Sequence, residues 1–170
     1  GRMADDSDFR PFIVGLGGTV RPNSTSEKAL AKALAAAEAG GARTQMFGGE
    51  YLARMPIYNP AEPGDHGERS DYLEAILLAD GLIVATPGYH GSISGLVKNA
   101  LDSVEGLRED ARPYFDGRAV GVIVAADGWQ AETVRVIEKD KNGKEKDKGW
   151  TCDLIPKALI VARYFGEEQA

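Results

Sequence analysis

The sequence is poor in the residues that build covalent cross-links and metal centres. Cysteine occurs once, at Cys152, and histidine occurs only at His66 and His90. One cysteine excludes an internal disulfide framework and a cysteine-rich metal site. Two histidines argue against a histidine-based metal cluster, so we predict no metal ligands. This cysteine usage fits a reducing compartment, and we expect a cytoplasmic protein.

The chain also lacks an excess of basic residues and any long apolar run. Its net charge of -6 argues against a nucleic-acid partner. No apolar stretch is long enough to span a bilayer, so we expect no membrane partner. What remains is the composition of an ordinary globular protein, with 43% hydrophobic and 27% charged residues. A chain of 170 residues suits one domain with a real core.

Short apolar runs alternate with helical patterns over the first 130 residues. Strands are predicted over 11–17, 43–47, 81–86 and 118–126, and helices over 24–39, 68–79 and 94–104. The proline-bearing stretch 51–67 is predicted to be an ordered loop. Strands that alternate with helices predict a parallel sheet covered on both faces, a three-layer α/β sandwich.

The alternation ends after Gln130. Residues 133–137 have a strand-like pattern, and Asn142-Gly143 in the following charged run predicts a hairpin. Residues 153–169 fit a helix with Pro156 in its first turn, but their apolar core, 159–162, fits a last strand equally well. The sequence leaves these two alternatives open.

The loop after the first predicted strand suits a phosphate group. It runs from Gly17 to Ser26 and leads into a helix, whose N-terminal N–H groups and dipole favour an anion. Thr19, Ser24 and Ser26 add hydroxyl donors, and Arg21 adds a charged contact. The spacing of a Walker A loop or a dinucleotide fingerprint is absent. A serine-capped helix after a glycine turn explains the same residues without a ligand.

Two further loops follow the third and fourth predicted strands. The stretch 87–102 is rich in glycine, carries Tyr89 and contains no nucleophile–base pair, so we predict no catalytic side chain and a cradle for a flat ligand. Tyr89 packed as a core residue is the alternative. Gly128 in the third loop permits close approach of a backbone to a ligand. All three loops end parallel strands, so we expect one crevice that fits a mononucleotide with a planar ring.

Residues from about 12 to 130 resemble the NADPH-dependent FMN reductases, which are flavodoxin-like proteins. The stretch 18–26 is similar to the family's Gly-Ser-x-Arg…Ser phosphate loop, with Thr19 in place of serine. The stretch 87–102 is similar to its Pro-Glu-Tyr-Asn-Gly-Ser motif and the helix that follows, with Gly88 and His90 departing from glutamate and asparagine. The resemblance implies a flavodoxin-like three-layer sandwich with a parallel sheet of order 2-1-3-4, extended by a fifth strand if the C-terminus supplies one.

The resemblance also implies the cofactors, the site and the activity. FMN would be bound, with NADPH or NADH as electron donor and a quinone, free flavin or similar small molecule as acceptor. Two groups of residues would hold FMN: Thr19, Arg21, Ser24 and Ser26 its phosphate, and Pro87, Gly88, Tyr89, His90, Gly91 and Gly128 its ring. The helix over 94–104 would help to build a homodimer or homotetramer.

The C-terminal part departs from that family. Residues 134–170 resemble a segment of the modification methyltransferase subunit of type I restriction systems, without its catalytic motifs. We therefore expect an FMN-binding domain over 1–130 and an atypical segment over 131–170 that completes this domain or is appended to it. Two other functions stay open: a flavin-binding electron carrier or redox sensor without efficient turnover, and an interaction fragment with a vestigial flavin site.

Overall fold

A computed structural model describes residues 9–61, 68–126, 137–139, 145–147 and 158–165. The strands are β1 (Phe12–Gly17), β2 (Arg43–Phe47), β3 (Gly81–Tyr89), β4 (Ser92–Ile93), β5 (Arg118–Ala125), β6 (Ile137–Lys139), β7 (Glu145–Asp147) and β8 (Ala158–Phe165). The helices are α1 (Thr25–Ala39), α2 (Gly49–Arg54), α3 (Glu68–Leu78) and α4 (Gly95–Ser103), with a 3-10 turn over Val104–Leu107. Among the described residues, no helix has the length and apolar character needed to cross a membrane.

The main sheet has the strand order β2-β1-β3-β5-β8. The pairs β2–β1, β1–β3 and β3–β5 are parallel, as expected for strands joined by helices. This confirms the predicted order 2-1-3-4, in which β5 is the fourth strand because the two-residue β4 belongs to a hairpin on β3. All carboxyl ends of these four strands therefore lie at the same edge of the sheet.

The last strand of the main sheet departs from the predicted parallel arrangement. β8 pairs with β5 in the antiparallel sense, from Arg118 opposite Phe165 to Ala125 opposite Ala158. The apolar run 159–162 thus forms a strand, and the alternative of a helix over 153–169 is wrong. The hairpin predicted around Asn142-Gly143 is supported by antiparallel pairing of β6 with β7, although the Asn-Gly pair lies outside the described residues.

Helices cover both faces of the sheet, as the sequence predicts. On one face α1 buries Ala29, Leu30 and Leu34 against Ala85 and Ile123. On the other face the core is formed by apolar side chains of α2, α3, α4 and the sheet, including Leu52, Tyr72, Ile76, Val97 and Ala100. Burial of this apolar surface from both sides fixes the sheet as the middle layer of a three-layer sandwich.

Two elements differ from the sequence prediction in ways that matter for the site. The stretch predicted as a loop from residue 51 begins inside a short helix, α2, which starts directly after β2. Strand β3 extends to Tyr89 rather than ending at Thr86, and it turns back through β4. Both changes add ordered structure at the carboxyl edge of the sheet.

Candidate functional site

The loop after β1 is held against β3 from its first residue. The backbone N–H of Gly18 donates to the carbonyl oxygen of Ala85 at 3.1 Å. Gly17 has a φ of +145°, and a Cβ built there would lie 1.9 Å from that carbonyl oxygen. Only glycine fits such a close backbone approach. The predicted phosphate loop therefore begins beside Ala85, two residues before the predicted ring loop starts at Pro87.

The middle of this loop is a compact turn that leaves Arg21 exposed. The Thr19 hydroxyl accepts from the backbone N–H of Arg21 at 3.1 Å and lies 3.2 Å from the Arg21 carbonyl, to which it donates. Asn23 has a φ of +57°, a conformation that asparagine tolerates better than most residues. The turn fixes the backbone at Arg21 and leaves its guanidinium at the surface.

The start of α1 carries two buried hydroxyl groups. Ser24 and Ser26 are 3% and 2% exposed, and their Oγ atoms lie 3.3 Å apart. The Ser24 Oγ also accepts from the backbone N–H of Glu27 at 3.3 Å, which makes Ser24 the N-cap of the helix. Helix geometry leaves the N–H groups of Thr25 and Ser26 without an intrahelical acceptor. These donors and the helix dipole suit an anion such as a phosphate.

The predicted ring loop is a hairpin instead of an open glycine-rich loop. Gly88 pairs with Ile93, and Tyr89 pairs with Ser92. His90 and Gly91 form the turn with φ values of +51° and +76°. Positive φ at both central residues is the geometry of a type I′ turn, whose twist matches that of the two strands. The turn presents the backbone from Pro87 to Gly91 as a rigid ribbon.

Two buried hydroxyls support the base of this hairpin. Thr86 is fully buried, accepts from the backbone N–H of Ser94 at 3.0 Å and donates to the Pro87 carbonyl at 2.9 Å. The Ser94 Oγ in turn accepts from the backbone N–H of Val97 at 3.2 Å and caps α4. The hairpin and the start of α4 are thus locked together. Sequence reasoning did not assign a supporting role to Thr86 or Ser94.

The predicted ring-contact residues are placed together at one edge. Pro87 and Gly88 are buried, His90 and Gly91 are exposed, and Tyr89 is 52% exposed. Tyr89 is therefore not a core residue, and that alternative is wrong. Ala125 at the end of β5 pairs with Pro87, so the third predicted loop starts beside the hairpin. Gly128 itself lies outside the described residues.

Two polar side chains that sequence reasoning missed connect the surrounding elements. Glu27 in α1 accepts from the backbone N–H of Gly49 at 3.2 Å and so joins α1 to the start of α2. Asn99 in α4 accepts from the backbone N–H of Tyr58 at 2.8 Å and donates to the Pro56 carbonyl at 3.0 Å. These contacts span 22 to 43 positions in sequence, so no local pattern reveals them.

The edge therefore has one polar end and one flat end. The start of α1 offers buried hydroxyls, backbone N–H groups and Arg21, while the hairpin offers backbone and the ring of Tyr89. Gly95, the first residue of α4, leaves open space within 4 Å of a Cβ built on it. Among the described residues, no three His, Cys, Asp or Glu side chains are grouped as they would be around a metal ion. This arrangement can hold a phosphate at one end and a planar ring at the other.

A family of sequences matches most of the chain. The sequence model described as NADPH-dependent FMN reductase matches residues 11–142, more than three quarters of the chain. An FMN-dependent NADPH-azoreductase of Staphylococcus haemolyticus (strain JCSC1435) is 53% identical over 53 residues, which cover 31% of this chain and 25% of that protein. The matched stretch thus spans only a quarter of the curated relative. The resemblance of residues 134–170 to a methyltransferase subunit stays a prediction.

Solved structures share the fold. A flavoenzyme NAD(P)H:(acceptor) oxidoreductase from Paracoccus denitrificans superimposes with a TM-score of 0.54 at 21% identity, covering 69% of this chain and 62% of that one. An NAD(P)H:quinone oxidoreductase from Methanothermobacter marburgensis gives a TM-score of 0.57 at 16% identity, covering 74% and 73%. At these identities the likeness concerns the arrangement of strands and helices.

Proposed function

The chain belongs to the NADPH-dependent FMN reductase family, and we propose that it is an oxidoreductase that binds FMN. Its electron donor is NADPH or NADH. Its acceptor is a quinone, a free flavin or a similar small molecule. The donor is oxidised to NAD(P)⁺ by loss of a hydride, and the acceptor gains two electrons. When bound, FMN supplies the chemistry of accepting and releasing that hydride.

One observation carries the proposal: the two loops that would hold FMN begin at a shared backbone hydrogen bond. The Gly18 N–H to Ala85 carbonyl contact of 3.1 Å brings the polar loop after β1 to the base of the β3 hairpin. Ligands of open α/β sheets bind at this carboxyl edge. The juxtaposition matches the two ends of a flavin mononucleotide, one charged and one flat.

The residues at the polar end would bind the phosphate. Ser24 and Ser26 direct hydroxyls into the start of α1, Thr19 shapes the turn, and Arg21 adds a positive charge. A phosphate there accepts hydrogen bonds from N–H groups that the helix leaves without a partner, so its negative charge is favoured by the dipole.

The residues at the flat end would position the ring. The backbone from Pro87 to Gly91 would lie along the isoalloxazine, and its N–H groups would stabilise the negative charge that develops on reduction. No protein acid or base is needed for hydride transfer, which fits a site whose distinguishing features are backbone and hydroxyls. Gly128 completes this set in the proposal.

We further propose that the protein works in the cytoplasm as a homodimer or homotetramer, with α4 in the subunit interface. The domain proposal is an FMN-binding unit over 1–130, followed by the atypical segment 131–170. An electron carrier without efficient turnover is the second candidate, favoured by a C-terminal part that departs from the predicted parallel sheet, with β8 antiparallel to β5. Turnover separates the two candidates.

The test is a spectrum followed by kinetics. Protein loaded with FMN and freed of excess cofactor should absorb near about 450 nm, and anaerobic NADPH should bleach that band. Steady-state oxidation of NADPH with a quinone should then proceed over many turnovers. Bound flavin that is bleached once without turnover would favour the carrier, and protein that retains no flavin would refute both candidates.

A further inference from the structure

The segment from Gly48 to Tyr58 is fixed at both ends to the two loops of the candidate site. At its start, Gly49 lies so close to the phosphate loop that a Cβ built on it would be 1.9 Å from the Thr19 carbonyl oxygen. Glu27 binds the backbone N–H of Gly49 at 3.2 Å and so supplies the capping contact that Gly48, the N-cap of α2, does not provide. The start of α2 therefore packs directly against the phosphate loop.

At its end, the segment is tied to the helix that follows the ring hairpin. The Asn99 side chain binds the Tyr58 N–H and the Pro56 carbonyl together, at 2.8 and 3.0 Å. Met55, just before these contacts, is 5% exposed and belongs to the core. Asn59, just after them, accepts from the Ala61 N–H at 3.0 Å in a local turn. The backbone on both sides of Ile57 is thus fixed.

Ile57 lies between Pro56 and Tyr58, the two residues that Asn99 binds. Its side chain is 81% exposed, the highest value among the large apolar side chains of the described residues. A single exposed apolar residue on a surface is ordinary. An exposed apolar residue whose flanking backbone is held by two side-chain hydrogen bonds from α4, the helix that follows the ring hairpin, is preorganised for contact.

We propose that Ile57 is a specificity-determining residue that contacts the apolar face of the electron acceptor, and that Asn99 is the positioning residue that holds it. This inference rests on the proposed function. The acceptor class is a planar apolar molecule such as a quinone, since an isoleucine side chain offers dispersion and desolvation but no hydrogen bond. Asn99 acts through the loop and does not touch the acceptor.

The test uses two acceptors and four variants of the full chain loaded with FMN. Menadione is the planar apolar acceptor, and ferricyanide is the charged one. The variants are Ile57→Ala, Asn99→Asp, their double mutant, and Lys98→Ala as the matched control. Lys98 neighbours Asn99 on α4, and its exposed ammonium pairs within the same helix, with Asp102 at 2.5 Å. Asn99→Asp keeps a side-chain oxygen that accepts from the Tyr58 N–H, but it loses the N–H group that donates to the Pro56 carbonyl.

We expect Ile57→Ala to raise the KM for menadione about tenfold, the scale of a lost apolar contact, with kcat and the KM for ferricyanide unchanged. Asn99→Asp should raise the menadione KM in the same selective way. In the Asn99→Asp variant, Ile57→Ala should raise the menadione KM by a smaller factor than it does in the parent, because the Ile57 side chain is no longer held in place. FMN affinity and the thermal midpoint of Ile57→Ala and Lys98→Ala should match the parent.

Each other result overturns the inference. A menadione KM that Ile57→Ala leaves unchanged, or effects of the two substitutions that simply add, would remove the assigned roles while the proposed function stands. A change in oligomeric state in Ile57→Ala would show that a second copy of the chain covers this residue instead. A parent protein without FMN-dependent turnover would refute the proposed function, and the inference with it.

Discussion

At the scale of single residues, buried polar groups explain why the helices sit where they do. Tyr72 of α3 is fully buried, and its hydroxyl donates to the Ala100 carbonyl of α4 at 3.1 Å. Its ring also packs edge-on against Phe47 of β2, with centroids 5.3 Å apart. A single side chain thus joins two helices and the edge strand, and α4 carries the ring hairpin at its start.

This burial makes the stability of the protein sensitive to alkaline pH. Loss of solvation, followed by the proximity of Tyr51, raises the pKa of Tyr72 above its ordinary value of 10.0. Above that pH the unfolded chain releases the Tyr72 proton while the folded chain keeps it, so the free energy of unfolding falls as pH rises. The slope from this one group is at most about 1.4 kcal/mol per pH unit.

Tyr72→Phe should therefore cost about 1 kcal/mol at pH 7, from the lost hydrogen bond and the carbonyl left without its donor. The difference in free energy of unfolding between parent and variant should shrink above pH 10, because only the parent has the Tyr72 proton to lose. Urea titrations at pH 7 and at pH 10.5 measure both quantities. Tyr89→Phe, at a half-exposed position, is the control, and a Tyr72→Phe deficit that is the same at both pH values would contradict the account.

Arg118 is a buried charged residue whose contacts are structural. Its guanidinium is fully buried at the start of β5 and donates to the carbonyls of Ile76, Arg112 and Tyr114, the last at 2.7 Å. Burial, followed by the charge of Arg112, lowers the pKa of Arg118. The residue lies at the amino end of its strand, opposite the candidate site, and it holds the 112–114 backbone against α3.

At the scale of elements, the first residues of α2 and α4 form a natural comparison. Gly49 and Gly95 each begin a helix, but a Cβ on Gly49 would overlap the Thr19 carbonyl at 1.9 Å, whereas a Cβ on Gly95 meets nothing within 4 Å. Close contact of α2 with the phosphate loop therefore requires glycine at position 49. The start of α4 has no such requirement.

Gly49→Ala should destabilise the apo protein by about 1–3 kcal/mol, since either α2 or the phosphate loop must move away. Gly95→Ala should be neutral or stabilise it by up to about 1 kcal/mol, because alanine restricts the unfolded chain and favours a helix. Thermal and urea unfolding of the two variants provide the measurement. Equal effects of the two substitutions would show that the contact between α2 and Thr19 is not part of the native structure.

Elements with a strong local signal were predictable. The capping serine before α1, the alanine-rich helix, and the apolar runs of β1, β3 and β5 are all encoded by nearby residues. The helix α2 was missed because its start depends on Glu27, 22 positions away. The hairpin was missed because His90-Gly91 is not the Asn-Gly or Asp-Gly pair that usually indicates a type I′ turn.

At the scale of the whole molecule, alternating strands and helices predicted the parallel three-layer sandwich, and the family resemblance supplied the order of the first four strands. The direction of β8 was not predictable, because its pairing with β5 joins residues about 40 positions apart and no connecting pattern fixes its sense. The positions of the phosphate and ring loops followed from sheet topology. The link between them through the Gly48–Tyr58 segment required the three-dimensional contacts of Glu27 and Asn99.

If the separate loops form one FMN site, Arg21 lies at its phosphate end. Titration of FMN into the apo protein, followed by quenching of flavin fluorescence, tests it directly. The parent should bind with micromolar or tighter affinity. Arg21→Ala should weaken binding about tenfold to hundredfold by removing a charged contact. Arg108→Ala, at an exposed arginine paired with Glu105 at 3.4 Å, should bind like the parent. Absence of binding by the parent, or an Arg21→Ala affinity equal to that of Arg108→Ala, would contradict the claim.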